Sequence, residues 1–66
     1  MAVLKVVEIL ASSPNSWEEA TKNGVKKASE TIKGIKSAYV QEFTSVVEDG
    51  NITQFRVNLK ITFEVK

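Results

Sequence analysis

Ile52-Thr53-Gln54-Phe55-Arg56-Val57-Asn58-Leu59-Lys60-Ile61-Thr62-Phe63-Glu64-Val65 is the stretch that decides the fold. From Phe55 onward apolar and polar residues alternate without a break: Phe55, Val57, Leu59, Ile61, Phe63 and Val65 against Arg56, Asn58, Lys60, Thr62 and Glu64. A period of two sends successive side chains to opposite faces of a strand, so one face must be covered and the other meets water or a ligand. Extended at about 3.3 Å per residue, the run spans roughly 46 Å. The helical pattern upstream, some 18 residues at about 1.5 Å each, reaches only about 27 Å. The strand outruns its helix. It is expected to curl around that helix and to have its far end buried by another copy of the chain.

Just upstream, Glu48-Asp49-Gly50-Asn51 is a hairpin signal, because Gly and Asn tolerate the positive backbone angles of tight turns. Ser37 to Val47 is then a second strand, antiparallel to the third, with Val40, Thr44 and Val46 on one side and Tyr39, Gln41, Phe43 and Val47 on the other. Before it, Trp17, Ala20, Thr21, Gly24, Ala28, Ile32 and Ile35 recur at helical spacing, with small residues in the middle that let a helix sit close to a sheet. Ser16 and Glu19 have capping-box spacing, while Ser13 ahead of Pro14 is a competing start. Glu18 and Glu19 at the beginning and Lys33 and Lys36 near the end match the helix dipole, and Gly34 is the expected left-handed stop. Val3 to Leu10, rich in β-branched residues, is a first strand whose two faces are both mostly apolar. The order is β-α-β-β. This predicts one α+β domain over residues 1–66, without linker or internal repeat.

A chain of 66 residues is near the low end of what can bury an adequate core, and with no cysteine there is no disulfide or thiolate metal site to supplement it. Oligomerisation is the remaining remedy. A 42% hydrophobic and 26% charged composition, with no apolar run of about 20 residues and no signal-peptide plan, makes a cytoplasmic protein the default. A net charge of +1 gives no drive toward nucleic acid or membrane, and Lys22, Lys26, Lys27 and Lys33 read as a solvated helix face. The absence of histidine and cysteine removes the usual base near neutral pH and the best nucleophile. Glu18/Glu19 and Glu48/Asp49 are adjacent pairs, better suited to capping and turns than to acid and base roles on one substrate. The chain reads as a binding or storage protein, not an enzyme. Calcium needs about six to eight oxygens, and no EF-hand run supplies them. Glu8, Glu42, Glu48 and Asp49 are the candidate metal donors, for a site assembled from several chains.

The pieces Lys5-Val6-Val7-Glu8-Ile9, Ser12-Ser13-Pro14-Asn15-Ser16-Trp17-Glu18-Glu19-Ala20, Val47-Glu48-Asp49-Gly50 and Phe55 through Phe63 together resemble the dodecin family over nearly the whole chain. The resemblance implies a three-stranded antiparallel sheet partly wrapped around one helix, and a hollow homododecamer. Self is the partner, with no nucleic acid and no membrane. Dodecins commonly sequester flavins in pairs between symmetry-related subunits. Flavin-binding members stack the ring on a tryptophan at the start of the second strand, where this chain has Ser37, and hydrogen-bond its edge with a glutamine on the third strand, where it has Arg56. Tyr39 and Gln54 complete the degenerate pocket. Serine offers no π face, a loss of about 1–3 kcal/mol per stacked ring by analogy with nucleobases. Arginine donates hydrogen bonds but cannot accept them. Flavin binding is therefore expected to be weak. The Ser-Trp-Glu helix start and Arg56 are similar to the calcium-binding, flavin-free branch of the family. The leading expectation is a cage that stores or sequesters calcium. The alternatives are a flavin-storing dodecin with a degenerate pocket and a ligand-free scaffold. Arg56 is assigned either to the pocket or to an inter-subunit ion pair with Glu42 or Glu64.

Overall fold

A computed structural model describes residues 2–66, with β1 (Val3–Ser13), α1 (Trp17–Ala28), β2 (Ile35–Glu48) and β3 (Asn51–Val65) in that order. The last strand is the central one. Its two neighbours are β1 and β2, both antiparallel, in the spatial order β1-β3-β2. Position explains pattern: the clean alternation of β3 belongs to the strand that is hydrogen-bonded on both edges, where a one-residue slip would exchange the two faces. Its Val57, Leu59 and Ile61 are fully buried beneath α1, each contributing about 1.5–3 kcal/mol on burial. Val7, Ile9 and Ala11 from β1 and Ala38 and Val40 from β2 pack around them.

The helix meets this core through Ala20, Gly24 and Ala28, the buried small residues of its inner stripe. Its start is at Ser16, whose hydroxyl accepts from the Glu19 amide at 2.9 Å, and not at Ser13. The return half of the capping box is missing. The Glu19 carboxylate instead accepts from the Ser13 hydroxyl and the Asn15 amide, both at 2.6 Å. Ser13 is fully buried and ends β1, so the first strand runs past Leu10 to the residues expected to form a turn.

The helix ends earlier than its apolar spacing predicts. After Ala28 the backbone tightens, with Glu30 N–H bonding to Lys27 O and Thr31 N–H to Ala28 O, both at 3.2 Å. The Ser29 hydroxyl donates to Lys26 O at 2.7 Å. Side-chain hydroxyls that compete for helical carbonyls, followed by β-branched Thr31 and Ile32, favour termination. Gly34 does take a left-handed conformation, φ 77°, but as the hinge into β2 and not as the helix stop. Ile35 accordingly belongs to β2.

Two-residue turn chemistry is as expected, with one shift of position. Glu48 pairs with Asn51, and the positive φ values fall on Asp49 (51°) and Gly50 (77°), the pattern of a type I′ hairpin. The faces of β2 differ from strict alternation. Gln41 has no partner between the Val40–Leu59 and Glu42–Asn58 pairs, so this bulge puts Val40 and Phe43 on the same side and Thr44 and Val46 on the other.

A 12-residue helix, about 18 Å long, lies on a sheet within a molecule 51 Å in its longest dimension. Phe43, Val47 and Ile52, toward the hairpin end, are 63%, 58% and 55% exposed. Leu4, Val6 and Leu10, on the β1 face turned away from the helix, are 53%, 58% and 67% exposed.

Candidate functional site

The face of the sheet without the helix carries the polar half of β3. Strand register arranges it in rows: Val6-Thr62-Ser37, Glu8-Lys60-Tyr39, Leu10-Asn58-Glu42 and Ser12-Arg56-Thr44, followed by Gln54 opposite Val46. Directly paired residues of antiparallel strands share a face, so Ser37, Tyr39, Gln54 and Arg56 all lie on this one. They do not converge. Ser37 stands opposite Thr62, eight positions along β3 from Gln54, a separation of about 27 Å. Ser37 and Tyr39 form one end of the face, Gln54 and Arg56 the other. Tyr39 is 64% exposed and is the aromatic ring among these four residues. The Arg56 Nε–H donates to the Ser12 hydroxyl at 3.4 Å, and within the chain neither Glu42 nor Glu64 lies in ion-pair range of its guanidinium.

The four carboxylates divide into two pairs. Glu8 and Glu42 occupy neighbouring rows on either side of β3, whereas Glu48 and Asp49 lie at the hairpin. Asn58, the partner of Glu42, is seven positions from Asn51, the partner of Glu48, so about 23 Å separates the nearest members of the two pairs. Among the described residues no three acidic groups come close enough to hold a metal ion. Between Glu42 and Leu10 sits Asn58, whose Oδ1 is buried and has no hydrogen-bond partner in the chain. Donor type fits a hard cation, since all are oxygens. Donor number does not, because one chain brings two carboxylates and an amide where calcium takes about six to eight oxygens.

Trp17 lies on the helix-bearing side. Its indole packs edge-on against Phe43 and Phe55, with centroids 5.7 and 5.1 Å away, and its N–H donates to Thr44 O at 3.1 Å. It therefore belongs to packing, as its place at the helix start implies, and offers no ring to the opposite face.

Glu19 has the one clear electrostatic perturbation. Hydrogen bonds from Ser13 first and Asn15 second hold its carboxyl below the ordinary value of 4.5. Its role is to tie the end of β1 to the first turn of α1.

Two concavities lay outside the sequence expectations. An open groove of about 520 Å³ runs between β1 and the last turns of α1, lined by Ile9, Ala11, Gly24, Ala28 and Ile32 among others. A second, of about 380 Å³, is bordered by Lys5, Lys33 and Lys66, residues too far apart in sequence for any linear pattern to join them.

The family model described as Dodecin matches residues 3–66. The protein named calcium dodecin from Mycobacterium tuberculosis is 32% identical over 66 residues, spanning 100% of this chain and 93% of that protein. The crystal structure of that calcium dodecin, described as a calcium-chelating immunodominant antigen with a novel calcium-binding site, superimposes with a TM-score of 0.86 at 31% identity, over 97% of this chain and 91% of the other. Dodecin from Streptomyces davaonensis gives a TM-score of 0.93 at 28% identity, over 98% and 96%.

Proposed function

The chain belongs to the dodecin family, and from that premise we propose that it is a non-catalytic storage protein that assembles from copies of itself into a twelve-subunit cage. Its leading ligand is calcium, and it holds flavin weakly. The observation that carries assembly is the mismatch between helix and sheet. A 12-residue helix leaves large side chains on both faces uncovered, and a 66-residue chain has little core to spare for that cost. Sister molecules supply the missing cover.

Calcium is favoured by the relative named calcium dodecin and by the all-oxygen character of Glu8, Glu42 and Asn58. Because one chain holds too few donors, sites form where residues of several subunits meet, with Glu8 and Glu42 the first residues to vary. Calorimetric titration of the chelator-stripped assembly with calcium tests this. Saturable heat together with a raised melting temperature, both diminished by Glu42→Gln, supports the reading. No heat and no shift sinks it and leaves the ligand-free scaffold.

Weak flavin binding follows from Ser37, which has no ring to stack, and from Trp17, which is committed to Phe43, Phe55 and Thr44 on the other side of the sheet. Tyr39 is the observation that favours the second reading, a degenerate flavin pocket, because its exposed ring lies on the same face as Ser37.

A further inference from the structure

Lys5, Lys33 and Lys66 border the pocket of about 380 Å³ at the end of the sheet remote from the hairpin, with Gly34, Phe63 and Glu64 among its walls. Glu64 provides the side-chain carboxylate of this lining. Its Oε1 already faces two ammonium groups, Lys36 Nζ at 3.7 Å and Lys66 Nζ at 3.6 Å. Among the described residues, neither Lys5 nor Lys33 has a carboxylate within 4.0 Å. The pocket is thus bordered by three ammonium groups, those of Lys5, Lys33 and Lys66, against one side-chain carboxylate.

The convergence is made by the fold, not by a lysine-rich helix. Lys5 comes from β1, Lys33 from the α1–β2 connection, Lys36 from β2 and Lys66 from the residue after β3. The connection is fastened in place, with the Glu64 amide donating to Gly34 O at 2.9 Å. A side chain there would be strained: Gly34 has φ 77°, and a Cβ would stand 3.2 Å from Glu64 O. Ammonium groups bordering one pocket repel one another, and the repulsion is relieved when a polyvalent anion enters. Lysine binds phosphate as a point charge, and the volume falls within the range of small-ligand sites, about 300–1,000 Å³.

We propose that this pocket binds a polyvalent phosphate anion of the polyphosphate class. Lys5 lies on the helix-bearing side, where it pairs with Phe63 and Phe63 with Ile35, whereas Glu64 pairs with Leu4 on the face turned away from the helix; Ser37, Tyr39 and Arg56 are not among the lining. The site does not depend on calcium or flavin.

Inorganic tripolyphosphate, titrated calorimetrically into the assembled protein in calcium-free, low-salt buffer, is the test. Saturable binding that weakens as salt rises is expected. Lys5→Gln with Lys33→Gln should lower affinity at least about tenfold, and Glu64→Gln should raise it several-fold by removing the competing carboxylate and freeing Lys36 and Lys66. Lys22→Gln with Lys26→Gln, an equal change of net charge outside the lining, should leave the affinity unchanged, which separates a built site from general attraction to a charged surface. An equal loss there overturns the proposal. Glu64→Gln reports on the pocket even if the Lys5→Gln/Lys33→Gln variant fails to assemble. Absence of saturable binding, an unchanged affinity in a folded Lys5→Gln/Lys33→Gln protein, or weaker binding in Glu64→Gln overturns the proposal.

Discussion

Gly24 is where the helix touches the central strand: a Cβ built on it would stand 2.8 Å from Leu59 Cδ1 and 3.0 Å from Ala11 Cβ. Two opposing effects meet there. Alanine in a helix interior is favoured over glycine by about 1 kcal/mol, while overpacking a core costs about 1–3 kcal/mol. Leu59 is fully buried and cannot swing aside, and a methyl on Ala11 has no rotamer to change. The clash wins. Gly24→Ala is expected to destabilise by about 1 kcal/mol net, read as a lower midpoint in urea unfolding at fixed protein concentration; a higher midpoint would show that the helix can lift away at no cost.

Glu19 gives the fold a dependence on acid. Its folded-state pKa lies below the ordinary 4.5, so its contribution is complete above that value and is lost as pH falls through the lower folded-state value. The melting temperature of the wild type should therefore fall more steeply below pH 4.5 than that of Glu19→Gln, with the two curves converging at the acid end. Thermal melts at stepped pH measure it. Parallel curves would mean that the Ser13 and Asn15 hydrogen bonds do not favour the ionised form.

Much of this architecture was legible because β3 reports it twice, through its alternation and through the Asp49-Gly50 turn that joins it to β2. The centrality of β3 was not, since nothing in a period of two says which neighbour fills the second edge. Nor was the helix end: Ile32 and Ile35 continue the apolar spacing, and only the hydroxyls of Ser29 and Thr31 oppose it. The site was legible in halves. Gln54 and Arg56, two residues apart, must share a face of β3, whereas placing Ser37 and Tyr39 on that face requires knowing that Lys36 and Gln41 are unpaired in the ladder. Lys5, Lys33 and Lys66 became neighbours only through strand order, which no spacing encodes.

Trp17 bonds two elements that otherwise barely meet, the start of α1 and the middle of β2. Trp17→Phe keeps an aromatic ring but loses the bond to Thr44 O, a loss of about 1 kcal/mol. Trp17→Ala also removes the edge-on contacts with Phe43 and Phe55, raising the loss to about 3 kcal/mol. Unfolding midpoints of the two variants should fall in that order. Equal losses would place all the worth of the residue in the hydrogen bond.

Ser37 and Arg56 make the flavin reading reversible by substitution. Both lie on the helix-free face, Ser37 is exposed, and Arg56 is held by one long bond to Ser12, so neither replacement disturbs the core. Ser37→Trp adds a stacking surface worth about 1–3 kcal/mol, which corresponds to about 5- to 150-fold in affinity. Arg56→Gln restores a side chain that both donates and accepts. Riboflavin fluorescence should be quenched at lower protein concentration by Ser37→Trp than by the wild type, and at lower concentration still by the double variant. The two residues are about 20 Å apart along one chain, so a gain in the double variant larger than either single gain requires that one flavin meets Ser37→Trp of one subunit and Arg56→Gln of another. Such a gain, present in the assembly and lost on dissociation, would locate the pocket between subunits. Quenching unchanged by either substitution would separate this face from flavin altogether.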